Sequence, residues 1–150
     1  MPHLSAGILL IGLALSSQPV SAQGITGQTA ALENTPNGKV VLAWYNAWQK
    51  ADWDSLTQVL ASGFTFSSPL DDHISTTAVK ARCWPNAGKF KTWDLQQVIT
   101  NGDVVVVIAD GYTTTGKFFR NCDWFMLKDG KIDAYECFFG PGINFPNSGK

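Results

Sequence analysis

The segment FFRNCDWFMLKDGKIDAYECFF, residues 118–139, decides the fold. Two runs rich in aromatic and apolar residues flank Asp129-Gly130, a dipeptide typical of the two-residue turn between antiparallel strands, because both positions tolerate a positive φ. Asn101-Gly102 upstream has the same form, and Thr115-Gly116 is a weaker third candidate. The sequence therefore predicts one antiparallel meander of four strands, over residues 90–100, 104–113, 118–128 and 131–139.

Two-residue turns also determine which residues face each other, and alternate side chains along each strand then share a face. The predicted pairs next to the turns are Ile99–Val104, Thr114–Lys117 and Leu127–Ile132. The predicted core face carries Trp93, Leu95, Gln97, Ile99, Val104, Val106, Ile108, Asp110, Tyr112, Phe119, Asn121, Asp123, Phe125, Leu127, Ile132, Ala134, Glu136 and Phe138. The other face mixes polar residues with Val105, Val107, Trp124, Met126, Tyr135 and Phe139, and this apolar area suggests a homodimer through that face.

The core face predicted in this way contains an acidic cluster. Asp123 lies opposite Glu136, with Asp110 opposite Asn121 one row away. Two adjacent carboxylates cannot both ionise cheaply in a poorly hydrated site, so one should hold a proton near neutral pH, which places an acid beside a base. Asp123, Glu136 and Asp110 are therefore the candidate catalytic residues. Alternatively, the cluster lies at the open rim of the sheet or pairs with an arginine or lysine, and a one-residue change at the Thr115-Gly116 turn would alter the pairs.

Length and composition indicate one small globular domain. The chain has 150 residues, of which 45% are hydrophobic and 15% charged, which is enough to bury a single core. The formal net charge is −1 and no run of Lys or Arg is present, which argues against a nucleic-acid partner.

Residues 1–22 are predicted to be a signal peptide. The apolar stretch 6–15 is too short to span a bilayer, and Val20-Ser21-Ala22 offers small residues for a cleavage site. The mature chain is expected to begin at Gln23 and to be secreted or periplasmic, with no membrane partner. Since no Lys or Arg precedes the apolar stretch, an uncleaved hydrophobic anchor is the alternative.

Export changes how the three cysteines are interpreted. In an oxidising compartment two of them can form a disulfide, and the predicted register puts Cys122 across from Cys137. Cys83 would then have no disulfide partner. The alternative is three buried thiols that act as small hydrophobic side chains. No cysteine spacing forms a zinc site, and neither His3 nor His73 has a second ligand at a suitable spacing, so no metal and no other cofactor is expected.

Before the meander the chain is predicted to be helical, after a flexible lead-in over residues 23–36. A first helix begins near residue 37 and repeats apolar residues at helical spacing, namely Val40, Val41, Trp44, Ala47 and Trp48. A second follows Asp52, a short strand covers residues 64–66, and a third helix spans about residues 75–83 and stops before Pro85.

A second polar group, Asp71, Asp72 and His73, precedes the third helix. Asp72 or Ser75 could simply cap that helix. Alternatively, Asp71 or His73 leans over the core face and joins the carboxylates. A histidine beside two carboxylates could hold a metal, but spacing fixes no second ligand, so no metal site is predicted.

The order of these elements resembles the nuclear transport factor 2-like superfamily and, within it, the SnoaL-like and ketosteroid isomerase-like branches. The resemblance covers about residues 39–140, with the domain taken as 37–140 and residues 141–150 as a tail. Its carriers are Trp44-Tyr45-Asn46-Ala47-Trp48, Ala51-Asp52-Trp53-Asp54, Phe64-Thr65-Phe66, Ser68-Pro69-Leu70-Asp71-Asp72, Cys83-Trp84-Pro85-Asn86, Phe119-Arg120-Asn121, Asp129-Gly130-Lys131-Ile132 and Phe138-Phe139-Gly140. The resemblance implies an α+β fold in which a cone-shaped, curved antiparallel sheet wraps three N-terminal helices and encloses a pocket.

In the family such a pocket often holds a small apolar ligand, and dimers form through the sheet. The residues expected to bind a ligand are Asn121, Tyr112, Trp93, Phe125, Phe138, Asp71 and His73. Related enzymes use a pocket carboxylate to move a proton next to a carbonyl, with a donor to the oxyanion; Tyr112 and Asp123 are the nearest candidates for the donors. Because the sequence shows no complete set of catalytic residues, binding of a small hydrophobic molecule is the preferred function. An isomerase or cyclase using Asp123 and Glu136 is the alternative.

Overall fold

The computed structural model describes residues 24–139, so the predicted signal peptide and the C-terminal tail lie outside the described residues. In chain order the elements are β1 Gly24–Gly27, α1 Thr29–Glu33, α2 Pro36–Lys50, α3 Trp53–Val59, β2 Leu60–Ser68, β3 Asp71–Ser75, α4 Thr76–Arg82, a 3-10 turn Trp84–Asn86, β4 Phe90–Asn101, β5 Val104–Thr113, β6 Phe118–Lys128 and β7 Lys131–Phe139. The three predicted helices are α2, α3 and α4.

Seven strands form one curved, unclosed sheet in the order β1-β4-β5-β6-β7-β2-β3. The antiparallel meander β4 to β7 is confirmed, and so is the α+β fold with its cone-like sheet. The sheet is mixed, however, because β1 runs parallel to β4 and β2 runs parallel to β7. The predicted flexible lead-in instead supplies β1 and α1, whose Leu32 is fully buried.

Helix α2 is the element packed against the inner face of the sheet. It begins at Pro36 behind Thr35, whose hydroxyl accepts a hydrogen bond from the Gly38 amide at 3.0 Å, and it ends at Ala51 in the left-handed conformation. Residues at helical spacing give it one buried side, made of Val41, Trp44, Tyr45, Ala47 and Trp48. This helix therefore fills the concave side of the sheet with aromatic rings.

Two irregularities reverse the predicted orientation of β5. Val104 pairs with Asn101 and Ile99 with Val106, so the predicted Ile99–Val104 pair is wrong by two residues. A β-bulge between Leu95 and Gln97 then flips β4 relative to its partner, so that Leu95 pairs with Ala109. The next turn is a three-residue loop closed by a hydrogen bond from the Thr113 amide to the Lys117 carbonyl, with Gly116 in the left-handed region, so the predicted Thr114–Lys117 pair is wrong by one residue.

As a consequence β5 buries the residues that were predicted to be outside. Val105, Val107 and Ala109 have no exposed surface. The predicted core residues of β5 lie on the outer face instead: Val104, Val106, Ile108, Asp110 and Tyr112. After the bulge Ile99 and Gln97 of β4 also face outward, and Ile99 is half exposed.

A second bulge reverses most of β7. Leu127 pairs with Ile132 as predicted, but an extra residue, Asp133, shifts the strand, so that Cys137 rather than Glu136 lies opposite Asp123. Tyr135 and Cys137 are therefore buried, and Glu136 and Phe138 point outward, where sequence alternation placed them inside.

Apolar side chains of the central strands also cover much of the outer face. We call this surface the outer apolar face and define it as Ile99, Val104, Val106, Ile108, Tyr112, Phe118, Cys122, Trp124, Met126, Ala134 and Phe138. Ile99, Tyr112 and Phe138 are each at least 50% exposed. Such an area of exposed apolar surface is unusual for a face turned to water.

Candidate functional site

A single carboxylate lies at the centre of the inner face. Asp123 has no exposed surface, and it is the one charged side chain among residues 24–139 that is classed as buried. Strand β6 holds it between Val107 of β5 and Cys137 of β7. A buried carboxylate is costly unless it is hydrogen-bonded, so its partners determine what it can do.

Two tyrosine hydroxyls hold Asp123, one on each carboxylate oxygen. Tyr45 of α2 donates to Oδ2 at 2.6 Å, and Tyr135 of β7 donates to Oδ1 at 2.9 Å. The thiol of Cys137 interacts with the same carboxylate from the neighbouring strand. We call Asp123, Tyr45, Tyr135 and Cys137 the Asp123 group; all four side chains are at most 6% exposed.

Burial dominates the electrostatics of the Asp123 group. Loss of hydration raises the pKa of Asp123 above its ordinary value, while the hydrogen bonds from Tyr45, Cys137 and Tyr135 act in the opposite direction. Burial, reinforced by the negative charge of Asp123, raises the pKa of Tyr45 and of Tyr135 well above the usual range. The tyrosines therefore stay protonated as donors, and Asp123 is the member that can exchange a proton.

Aromatic rings exclude water from this group. The Trp44 ring lies 4.5 Å from that of Tyr135 and 5.2 Å from that of Phe125, and Phe125 stacks on Tyr135 at 4.8 Å. The Trp93 ring lies 5.2 Å from that of Tyr45. In such surroundings a hydrogen bond to the carboxylate is stronger than it would be in water.

The structure separates the predicted acidic cluster. Glu136 pairs with Trp124 on the outer face because of the β7 bulge, so the predicted Asp123–Glu136 pair is wrong. Asp110 also lies outside, where it makes a two-pronged ion pair with Arg120, and its predicted neighbour Asn121 pairs with Ala109 on the inner face. Burial and not a second carboxylate is what shifts the pKa of Asp123.

The predicted ligand-binding residues divide in the same way. Trp93 and Phe125 are buried on the inner face, and Asn121 is half-buried there. Tyr112 and Phe138 face outward, which corrects their predicted position in the core, because the strand irregularities reverse β5 and the end of β7.

Asp71 and His73 lie on the edge strand β3, and the structure does not bring them into the Asp123 group. Asp71 makes an ion pair with Arg82 at 2.5 Å, and exposed His73 contacts Asp72 at 2.5 Å through Nδ1. The Ser75 hydroxyl caps α4 by accepting a hydrogen bond from the Ala78 amide, so the prediction that Asp72 or Ser75 caps this helix is confirmed for Ser75.

The predicted Cys122–Cys137 disulfide is wrong. Cys137 points to the inner face beside Asp123, whereas Cys122 points outward, again because of the β7 bulge. Both are free thiols, as is half-buried Cys83. Within the part of the chain that the structure describes, no group of three His, Cys, Asp or Glu side chains is placed to hold a metal ion.

Sequence reasoning missed both tyrosines of the group. Tyr45 could have been found, because it belongs to the same helical stripe as Val41, Trp44 and Trp48. Tyr135 could not, since strict alternation places it on the outer face until the extra residue in β7 is known.

Two surface depressions lie away from the Asp123 group. One of about 290 Å³ is formed where α2 begins, by Thr35, Pro36, Asn37, Thr100 and Gly102, and another of about 310 Å³ follows β2 and β3. Neither includes a member of the group. Among residues 24–139 no helix is long and apolar enough to cross a membrane.

A curved, mixed sheet with helices on its concave side defines a protein of the nuclear transport factor 2-like class. Within that class the chain belongs to the family of the SnoaL-like domain, whose model matches residues 41–135. No curated protein is significantly similar to the chain.

Solved structures with the same fold are distant in sequence. An NTF2-like protein of unknown function from Cytophaga hutchinsonii is 21% identical, with a TM-score of 0.57 over 70% of this chain and 90% of that one. An LEH-like epoxide hydrolase of M. tuberculosis is 18% identical, with a TM-score of 0.58 over 70% and 83%. TerC, crystallised with polyporic acid, is 18% identical, with a TM-score of 0.58 over 71% and 92%. At these identities the likeness concerns the fold alone.

Proposed function

We propose that this SnoaL-like protein binds a small hydrophobic molecule on the inner face of its sheet, next to the Asp123 group. The observation that carries the proposal is a fully buried carboxyl held by two tyrosine hydroxyls inside a cluster of aromatic rings. A carboxylate and its donors are more than packing requires, because apolar side chains of similar volume would fill the same space at less desolvation cost. Ionisable groups with a perturbed pKa are concentrated at functional sites.

The inner face has the composition of a ligand site. Binding pockets for small molecules combine mostly apolar walls with a few fixed polar groups. Here Trp44, Trp93 and Phe125 supply the walls, and the face becomes less buried toward Phe119 and Asn121, which offers a direction of entry. The known ligand complex of a structural neighbour, TerC with polyporic acid, supports the proposal by analogy.

The second candidate is an isomerase or cyclase. It is favoured by the raised pKa of Asp123 and by the two hydroxyl donors beside it, since proton transfer next to a carbonyl needs a base and a donor to the developing oxyanion. Binding is preferred because Asp123 lacks exposed surface, and because Glu136 and Asp110 face outward and so are not available as its partners.

The proposal includes export and a second copy of the chain. Export is supported by the apolar stretch 6–15 and by Val20-Ser21-Ala22, after which the mature chain would begin at Gln23. A homodimer through the outer apolar face is supported by the exposure of Ile99, Tyr112 and Phe138. N-terminal sequencing of exported protein tests the first, and sedimentation of the mature chain tests the second.

Ligand capture tests the main proposal. The mature chain, its Asp123→Asn variant and a matched Glu136→Gln variant on the outer face are purified under gentle conditions and examined by native mass spectrometry for co-purifying molecules. A hydrophobic compound should accompany the mature chain and Glu136→Gln, and Asp123→Asn should bind it about tenfold more weakly or worse.

The same variants distinguish the two functions. If the protein is an enzyme, Asp123→Asn leaves affinity almost unchanged and abolishes turnover of the captured compound. If nothing co-purifies and the native chain also fails to bind an apolar fluorescent probe such as 1-anilinonaphthalene-8-sulfonate, the proposal is refuted.

A further inference from the structure

The inner face of β5 loses side-chain volume along its length. From the β4–β5 turn onward, its inward positions are Val105, Val107, Ala109 and Gly111. Trp93 of β4 and Phe119 of β6 lie directly across from Gly111 on either side. A β-carbon at Gly111 would come within 2.5 Å of Cζ of Phe119, so the missing side chain is what lets this ring reach across the strand toward Trp93.

Three aromatic rings surround the Trp93 indole. The ring centroids of Phe90, Phe119 and Tyr45 lie 4.7, 4.8 and 5.2 Å from it. Trp93 is 2% exposed, whereas Phe90 and Phe119 are half-buried and Phe139 at the end of β7 is 39% exposed. Burial therefore increases from partly exposed phenylalanines to the indole.

Among residues 24–139, the indole N–H of Trp93 has no hydrogen-bond acceptor. Buried N–H groups are nearly always paired, so an orphaned one calls for an explanation. Gln49 of α2 contacts the same strand, where its amide nitrogen donates to the backbone carbonyls of Phe90 and Lys91, at 2.7 and 3.1 Å. Its Oε1 is likewise buried and without a partner, and it does not reach the indole.

We propose that the Trp93 N–H is the hydrogen-bond donor that selects the ligand of the inner-face site. The ligand is then an apolar, ring-containing molecule with a neutral acceptor oxygen, such as a ketone. An indole N–H can only donate, so the matching group must accept, and the surrounding rings favour a flat apolar skeleton. This inference rests on the proposed function and goes beyond it by naming the donor and the class of ligand.

The surroundings of Trp93 also select against a charged ligand group. Its ring contacts are Tyr45, Phe90 and Phe119, all of them uncharged. A carboxylate placed there would lose its hydration and gain one neutral donor, which does not offset the desolvation of an ion. A carbonyl loses far less hydration and gains the same bond.

Matched probes test the donor. The affinities of the mature chain for 1-indanone and for indane are measured by titration, because the two molecules share a skeleton and differ by the carbonyl oxygen. The mature chain should prefer the ketone by roughly three- to tenfold, the range of one buried neutral hydrogen bond. Trp93→Phe should bind both about equally, while the control Trp53→Phe on α3, outside the site, should keep the preference.

The outcomes separate the two levels of the proposal. Equal binding of both probes by the mature chain, or a ketone preference that survives in Trp93→Phe, overturns the role of Trp93 and leaves hydrophobic binding standing. Binding of neither probe overturns the role of Trp93 and the proposed function together.

A second measurement needs no variant to fold. In a 15N–1H spectrum of the mature chain, the indole resonance assigned to Trp93 should shift downfield with 1-indanone but not with indane. A resonance that keeps its position when 1-indanone is added, or that shifts downfield equally with indane, would overturn the inference.

Discussion

Replacing Tyr45 by phenylalanine should destabilise the protein by an amount that depends on pH. The change removes the hydroxyl that donates to Oδ2 of Asp123 at 2.6 Å and leaves the ring, so it creates almost no cavity. A buried hydrogen bond to a carboxylate contributes about 1.5–3 kcal/mol, and one to a neutral carboxyl about 0.5–1.5 kcal/mol. The loss in unfolding free energy should therefore be about 1–2 kcal/mol larger where Asp123 is ionised.

The sign follows from the pKa of Asp123. Because burial raises this pKa above its unfolded value, the native state binds the proton more tightly, and stability is highest below the unfolded pKa and falls as pH rises through the folded pKa. The slope can reach about 1.4 kcal/mol per pH unit in that window. Tyr45→Phe removes a donor that favours the ionised form, so it raises the folded pKa further and extends the falling segment to higher pH.

Chemical denaturation between about pH 4 and about pH 8.5 measures the effect, because the unfolding free energy can be extrapolated at each pH. Tyr112→Phe is the matched control: Tyr112 is 50% exposed on the outer face, and this variant should stay within about 0.5 kcal/mol of the parent throughout. An equal loss at both ends of the range, or a larger loss at low pH, would refute the assignment of Asp123 as the titrating member of the group.

Three further variants test the structure elsewhere. Gly111→Ala should lower the unfolding free energy by about 1–3 kcal/mol in denaturant, because its β-carbon would meet backbone and ring atoms within 2.5 Å, whereas Gly63→Ala, with open space around it, should change little. The Cys137 thiol should react with a thiol reagent only on unfolding, since it is 6% exposed and burial raises its pKa well above the usual range. Fast labelling of the folded protein that persists after the other two cysteines are replaced by serine would contradict the buried position of Cys137. Thr35→Ala should reduce the melting temperature by removing the cap of α2, at a loss of about 1 kcal/mol, and Ser75→Ala, whose capping bond is longer at 3.4 Å, should lose less.

The sequence predicted the elements of this fold better than it predicted their faces. Asp129-Gly130 correctly aligned Leu127 with Ile132, whereas the same signal at Asn101-Gly102 misaligned Ile99 with Val104, because the turn there is centred one residue later, on Gly102 and Asp103. The β7 bulge that follows is produced by one extra residue, Asp133, and no turn signal marks it. Beyond such a residue every side chain changes face, so the predicted positions of Glu136 and Cys137 were exchanged.

The same limit explains the candidate site. Asp123 was placed on the inner face from sequence because it lies only four residues before Leu127, on the regular part of β6. Its actual partners come from α2 and from beyond the bulge, and only three-dimensional packing brings Tyr45 and Tyr135 to it. A long-range pair of this kind leaves no periodic pattern in one sequence.

The two ends of the unclosed sheet also affect how the chain behaves at high concentration. Exposed strand edges are templates on which a second chain can add a strand and begin to aggregate. Here the edge strands are the shortest in the sheet, four residues in β1 and five in β3. Gly24 and Gly27 bound the first, and the second carries Asp71, Asp72 and His73 along its length. An incoming strand could pair with only four residues, beginning and ending with glycine, at one edge, or with five residues that include charged side chains at the other. Both edges therefore disfavour aggregation by strand addition.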